Sequence, residues 1–313
     1  MATLYFEREL VELKDKLAKL LDSSDTTTTK SLITKLKKEI VKKEKSTYQN
    51  LDAWQTTLVA RHPKRPGTTD FIKTCISDFI ELHGDRHYRN DKAITAGLGT
   101  LDGHKFMILG HVKGSNTTDN LKHNFGMANP EGYRKSLRLM QLAQKFNLPI
   151  LTLIDTPGAY PGIGAEDRQQ AESIAVCLRE MGILKVPIIS VVLGEGGSGG
   201  ALALAVANRL LMLSNAVFGV ISPEGCASIL WDNPAKAKQA SGMLKQTARD
   251  LKDLNIIEEI IDEPFSCAHN NPLLTLENVK AAIIRHYLVL SKLSPTQLLA
   301  QRQKKFRLIG RYK

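Results

Sequence analysis

Five glycines in seven residues, Gly194-Glu195-Gly196-Gly197-Ser198-Gly199-Gly200, form the densest chemical signal in the 313-residue chain. Read as Gly194, Gly196 and Gly199, the run fits the GxGxxG dinucleotide fingerprint. That motif expects an acidic residue about 20 positions on, at the end of the next strand. The next apolar run ends instead in Ser214-Asn215, and the next acid is Glu224. A phosphate-binding P-loop needs Gly-Lys-Ser/Thr, and Gly199-Gly200-Ala201 offers no lysine. Read as Gly196-Gly197-Ser198-Gly199-Gly200, the run also fits GxSxG, the elbow that exposes a nucleophilic serine between strand and helix. A serine hydrolase with Ser198 as nucleophile would need an acid such as Asp250, Asp253 or Asp262, and then His269 or His286. The remaining chemistry uses the backbone. Consecutive glycines at a helix start leave peptide N–H groups unshielded by Cβ atoms, and the helix dipole adds positive potential. Together these make a cradle for an anion or oxyanion. The plain structural reading is that the glycines permit tight strand–helix packing. Five in one strand-end loop exceed what packing alone usually needs.

Elements must bring this loop to a usable place. Pro149-ILTLID and Val186-PIISVVLG are short, continuously apolar runs of the kind buried on both faces of a sheet. The first ends in the loop Asp155 to Gly164 (DTPGAYPGIG), and a helix is expected from about Glu166 to Met181. The second ends in the glycine run, followed by a small-residue helix, ALALAVA. Leu210-LML and Val217-FGVI are further strand candidates. Successive strand–loop–helix units imply parallel strands, with the site at their carboxyl ends, where both glycine loops fall. Upstream, AITAGLGTL and KFMILGHV flank Asp102-Gly103 and predict a hairpin. Asn129-Pro130-Glu131 predicts a capped helix start running to about Asn147. Phe71, Ile72, Cys75, Ile76, Phe79 and Ile80 predict an amphipathic helix. Leu10, Leu13, Leu17 and Leu20, then Leu32, Leu36 and Ile40, predict two helices separated by Asp22–Thr29, a packing or oligomerisation arm. His62-Pro63-Lys64-Arg65-Pro66-Gly67 reads as a hinge. The expected segments are an arm (1–66), a main domain (67–264) and a basic helical tail (265–313).

Composition narrows the class. The formal net charge of +11 is unevenly spread: +5 over 1–66, −2 over 67–284 and +8 over 285–313. Basic ends suit nucleic acid, an acidic partner or simple solvation, and no DNA- or RNA-binding motif sharpens the first. Cys75, Cys177, Cys226 and Cys267 form no CxxC pair, which argues against a zinc site or a disulfide framework. No apolar run is long enough for a membrane span, and the acidic N-terminus is unlike a signal peptide, so an intracellular protein is expected.

The runs GDR (Gly84–Arg86), NFGMANPEGYRKSLRLMQ (Asn124–Gln141), IDTPGAYPGIGAE (Ile154–Glu166), GEGGSGGALAL (Gly194–Leu204) and ISPEGCASILW (Ile221–Trp231) resemble the acetyl-coenzyme A carboxylase carboxyltransferase alpha-subunit family over about residues 52–262. The resemblance implies an α/β crotonase-like (ClpP/crotonase) spiral of ββα units. It implies transfer of a carboxyl group from carboxybiotin, borne by the biotin carboxyl carrier protein, to acetyl-CoA, giving malonyl-CoA for fatty acid biosynthesis. It further implies an α2β2 heterotetramer with a beta subunit that carries the family's zinc, with biotin carboxylase in the full complex. No metal is expected in this chain. The family's biotin-side oxyanion hole maps onto the N–H groups of Gly199 and Gly200, with Gly158, Ala159, Tyr160, Gly196 and Gly197 lining the cleft. The released biotin ureido nitrogen takes the acetyl proton, so no general base is implied. His111, Glu195 and Arg168 are near the loops in sequence and are expected to be structural. Messenger-RNA binding is associated with the family. A cytoplasmic location, or a plastid stroma, is implied.

Overall fold

The computed structural model describes residues 3–22 and 27–310. The two apolar runs become the centre of one sheet. β4 (Ile150–Thr156) is buried along its whole length, and β5 (Ile188–Gly197) at all but its last residue. Side chains of Leu, Ile and Val on both faces meet helices, as continuous apolar strands require. Around them lie β1 (Ser77–Glu81), β2 (Ile94–Leu101), β3 (His104–His111), β6 (Arg209–Leu213), β7 (Val217–Gly219) and β8 (Glu259–Ile261), in the order β1-β2-β3-β4-β5-β6-β8. β1, β2 and β3 pair antiparallel, and the pairs from β3 onward are parallel. The first half of β5 pairs with β6. Its glycine half pairs with β7, Gly196 opposite Phe218 and Gly197 opposite Gly219.

The hairpin turns at Asp102 and Gly103, both at positive φ, as the Asp-Gly pair predicts. The helix Pro130–Lys145 starts after Asn129, but that side chain makes no capping bond. Its Oδ1 accepts from Arg168 Nη2 at 3.2 Å instead.

Four local expectations are corrected. Phe79 and Ile80 lie in β1, because the preceding helix (Thr68–Cys75) ends at the extended Ile76. Glycines in β2 admit the incoming backbone: a Cβ at Gly97 would stand 2.2 Å from the Ile80 carbonyl oxygen. Tertiary pairing thus overrides local periodicity. The helix expected at Glu166–Met181 is one turn, Ile163–Glu166, then Gln170–Ile183, broken at Gln169 with φ 67°. Gly194–Gly197 continue β5 rather than forming a loop. The ALALAVA helix is only the short Ser198–Leu202. It stops because the hydroxyls of Thr152 and Ser190 take the Leu204 carbonyl at 2.6 and 2.8 Å, drawing the chain onto the sheet.

The arm helices are Arg8–Leu21 and Thr27–Tyr48; part of the expected break, 23–26, lies outside the described residues. Leu10, Leu13, Leu17, Leu36 and Ile40 form a second apolar cluster, whereas Leu32 is exposed. Cys267 from the start of the tail and Val59 complete that cluster, so arm and tail share one small core. The long C-terminal helices are Pro272–Leu290 and Pro295–Leu308.

Candidate active site

The loop that follows β4 meets the glycine turn between β5 and the Ser198–Leu202 helix at the carboxyl ends of the two strands. A Cβ at Gly197 would stand 2.0 Å from the Pro157 carbonyl oxygen. One at Gly200 would stand 2.5 Å from the Ala159 nitrogen. Real Cβ atoms never approach so closely, so these two glycines are required for the loop Pro157–Ala159 to lie on the turn. Gly199 differs: a Cβ there would meet only Ile174, at 3.6 Å. Gly196 is covered by the Phe218 ring, and Gly162 by the Tyr160 ring. Ser198 is exposed, Gly199 half-buried and Gly200 buried. The turn opens a five-residue helix, whose first amides lack an acceptor within the helix.

The other loop is held by side chains that the sequence analysis did not single out. Thr156 Oγ1 donates to the Gly158 carbonyl at 2.7 Å and accepts from the Gly158 N–H at 3.1 Å. Gln170 Nε2 donates to the carbonyls of Ala128 and Tyr160 at 2.8 and 2.9 Å. The Tyr160 N–H donates to Ala128 at 3.0 Å.

A buried charge network ties the strand ends together. Lys113 Nζ lies 2.7 Å from Asp155 Oδ1 and 2.8 Å from Glu195 Oε2. Arg61 bonds Glu195 Oε1 at 2.6 Å and Glu224 Oε1 at 2.5 Å. The Glu195 N–H donates to Asp155 Oδ1 at 2.9 Å. Burial pushes the Glu195 carboxyl up, but the charges of Lys113 and Arg61 overcome it and hold Glu195 below the usual range. Burial pulls Lys113 down, and Asp155 and Glu195 more than restore it. Glu195 and Lys113 are therefore both ionised at neutral pH, and Glu195 has both oxygens committed.

A second cluster joins the GDR run to the loop. Arg134 bonds Asp85, while Arg89 and Arg168 bond the buried Glu131. Arg168 and Glu195 are thus both engaged in ion pairs with other side chains. His111 is not merely close in sequence: its buried ring lies against the carbonyls of Leu153 and Gly200.

The hydrolase reading loses its partners. His286 bonds Glu259 at 2.8 Å. His269 stacks on His62 with centroids 4.0 Å apart and lies 3.3 Å from Glu7 and from Tyr48. Asp250 caps its own helix through Thr247. Ser198 has φ 51°, as a nucleophile elbow requires, but among the described residues neither histidine bonds it.

Glu7, His62 and His269 present ligand-type atoms within 4.8 Å of one another, a grouping that sequence spacing of 55 and 207 residues hides. The two rings stack nearly parallel, so their nitrogen lone pairs do not converge as metal ligation needs. The cluster latches the arm to the tail. All four cysteines are unpaired. Among the described residues no helix is long and apolar enough to cross a membrane.

The family model described as acetyl co-enzyme A carboxylase carboxyltransferase-like matches residues 3–310. The acetyl-coenzyme A carboxylase carboxyl transferase subunit alpha of Geobacter metallireducens is 50% identical over 310 residues, covering 99% of this chain and 98% of that protein. The Synechococcus elongatus subunit alpha is 49% identical, covering 98% and 94%. Among solved structures, transcarboxylase 12S has a TM-score of 0.55 at 18% identity, covering 71% of this chain and 42% of that one. The Pseudomonas malonate decarboxylase MdcD-MdcE hetero-dimer has a TM-score of 0.56 at 15% identity, covering 69% and 88%. These likenesses establish the crotonase-like fold.

Proposed function

The chain belongs to the acetyl-coenzyme A carboxylase carboxyltransferase alpha-subunit family, an enzyme family whose reaction forms malonyl-CoA, and from that premise we propose the part its glycine turn plays. Carboxyl transfer develops negative charge on two oxygens, the biotin ureido oxygen and the thioester oxygen of acetyl-CoA. Each needs its own preorganised donors. This chain serves the biotin side. The N–H groups of Gly199 and Gly200 receive the ureido oxygen, and Gly158, Ala159, Tyr160, Gly196 and Gly197 wall the cleft. The turn suits an anion because its one carboxylate, Glu195, is fully occupied by Lys113 and Arg61. Carboxybiotin would supply the carboxyl group and, once that group has left the ureido nitrogen, a base able to take the acetyl proton before the resulting enolate is carboxylated. No side-chain base of this chain is then required.

The observation that carries the reading is the contact of the two glycine loops at the ends of adjacent parallel strands. The second donor pair belongs to a beta subunit, which bears the zinc, in an α2β2 assembly served by the biotin carboxyl carrier protein and biotin carboxylase. Ile163, Val220 and Ile229, about four-fifths exposed, support such a partner. Ile163 opens the single helical turn at the end of the first loop, and Val220 follows the strand paired with the glycine end of β5. Large apolar side chains so exposed mark an interaction surface. The division into arm, catalytic domain and basic tail, and a location in the cytoplasm or a plastid stroma, belong to the same proposal.

Two substitutions in the assembled enzyme test the donor assignment. Ser198→Ala keeps most activity, since only backbone groups act. Gly199→Ala fits sterically and leaves the melting temperature unchanged. Its methyl group shields the amide and lowers kcat toward the ~10²–10³-fold loss typical of one missing oxyanion donor. A loss of ~10³-fold or more in Ser198→Ala would restore the nucleophile reading.

A further inference from the structure

The short helix that carries the glycine turn cannot orient itself. Five residues are far below the roughly 12–15 at which an isolated helix becomes even marginal. Its amides point where tertiary contacts make them point. Two buried polar side chains make those contacts without spending their hydrogen bonds. The Tyr133 hydroxyl is fully buried, has no hydrogen-bond partner, and lies 2.9 Å from the position a Gly200 Cβ would take, where Gly158 and Ala159 also arrive. The His111 ring is buried with neither nitrogen in a hydrogen bond of ordinary geometry, and it faces the Gly200 carbonyl. The helix leaves that carbonyl aside: the Leu204 N–H turns to Ala201 instead, at 3.1 Å. An unsatisfied buried polar group costs about 1–3 kcal/mol, so two side by side under one turn need an explanation.

We propose that His111 and Tyr133 are positioning residues for the biotin-side oxyanion donors. The His111 ring presents a polar edge to the Gly200 carbonyl without a hydrogen bond of ordinary geometry, and the Tyr133 hydroxyl packs at the meeting point of Gly200 with Ala159, so that the first-turn amides face the cleft. This rests on the assignment of the turn to carboxyl transfer. Burial, with Lys113 adding to it, pushes His111 down to about 3, so the ring is neutral and carries one N–H throughout the working range. The pair acts through the backbone and does not touch the substrate.

The test is malonyl-CoA-dependent carboxylation of biotin by the enzyme reconstituted with its beta subunit, with melting temperatures measured in parallel. Tyr133→Phe removes only the hydroxyl. His111→Met removes the polar edge at similar volume, and His111→Gln keeps a polar N–H there. The expected result is a fall in kcat of about tenfold for Tyr133→Phe and His111→Met. KM for malonyl-CoA is unchanged, the melting temperature of Tyr133→Phe is not lowered, and His111→Gln recovers most of the loss. Rates within twofold of the parent for Tyr133→Phe and His111→Met overturn the proposal, as does a kcat loss that merely tracks a fall in melting temperature. An inactive parent enzyme would instead overturn the carboxyltransfer reading on which it rests.

Discussion

Lys113 shows how a residue without a motif sets the site. It is the shared cation of Asp155 and Glu195, which come from the ends of neighbouring strands. Replacing it with methionine leaves two buried carboxylates facing each other, a defect that costs about 3–5 kcal/mol. Urea denaturation measures it. The sign with pH follows from the shifts. Glu195 is held below its ordinary value, so its contribution is complete above the unfolded pKa of ~4.3 and is lost as pH falls through the lower folded value. Lys113 is held above its own, so its contribution is complete below ~10.4 and is lost as pH rises through the folded value. The network therefore gives a flat stability plateau between about pH 5 and 10, and Lys113→Met moves the acid limb upward. At this scale the glycines were legible in the sequence, because their density and strand-end setting are local. The steric split among them was not: Gly197 and Gly200 are fixed by Pro157 to Ala159, some 40 residues away. Arg61 left no pattern, and the roles of Thr156 and Tyr133, though both lie in motif runs, could not be read from them, since a run shows neither which backbone group a side chain meets nor what packs on it.

Strands buried on both faces were the most legible elements, because a continuous apolar run of that length has few alternatives. Phe79 and Ile80 were misread because a run of apolar residues at spacings of 3 and 4 also fits one strand joined to a helix. What decided between them was the bare backbone of Gly97 in the neighbouring strand. The tail shows the same limit. Its charge suggested a solvated or ligand-binding face, yet Arg302 is buried. It donates to the carbonyls of Met181 and Leu184 at 2.7 Å each and to Val186 at 3.1 Å, filling the carbonyl end of the Gln170–Ile183 helix. Lys305 bonds Glu258 and Arg285 bonds Glu259. Arg302→Met strands several buried acceptors at about 1–3 kcal/mol each. It is expected to loosen the last helix, read as lost amide-exchange protection over Pro295–Leu308 and over Leu184 to Val186.

On the proposed reading the whole molecule is a half-site. One large core holds the sheet, and a small second core joins arm to tail. The glycine turn sits at the carboxyl ends of the central strands beside exposed Ile163 and Val220, where, on the proposed reading, a second subunit would complete the chemistry. The family resemblance could be read from the sequence because its runs are long and ordered. The incompleteness of the site is physical: one set of oxyanion donors cannot stabilise two separated oxyanions. The most direct measurement is malonyl-CoA-dependent carboxylation of free biotin by this chain alone, by a beta subunit alone and by their mixture. The account predicts activity only in the mixture. Carboxylation by this chain alone would contradict it. So would an inert mixture accompanied by ester hydrolysis that Ser198→Ala abolishes.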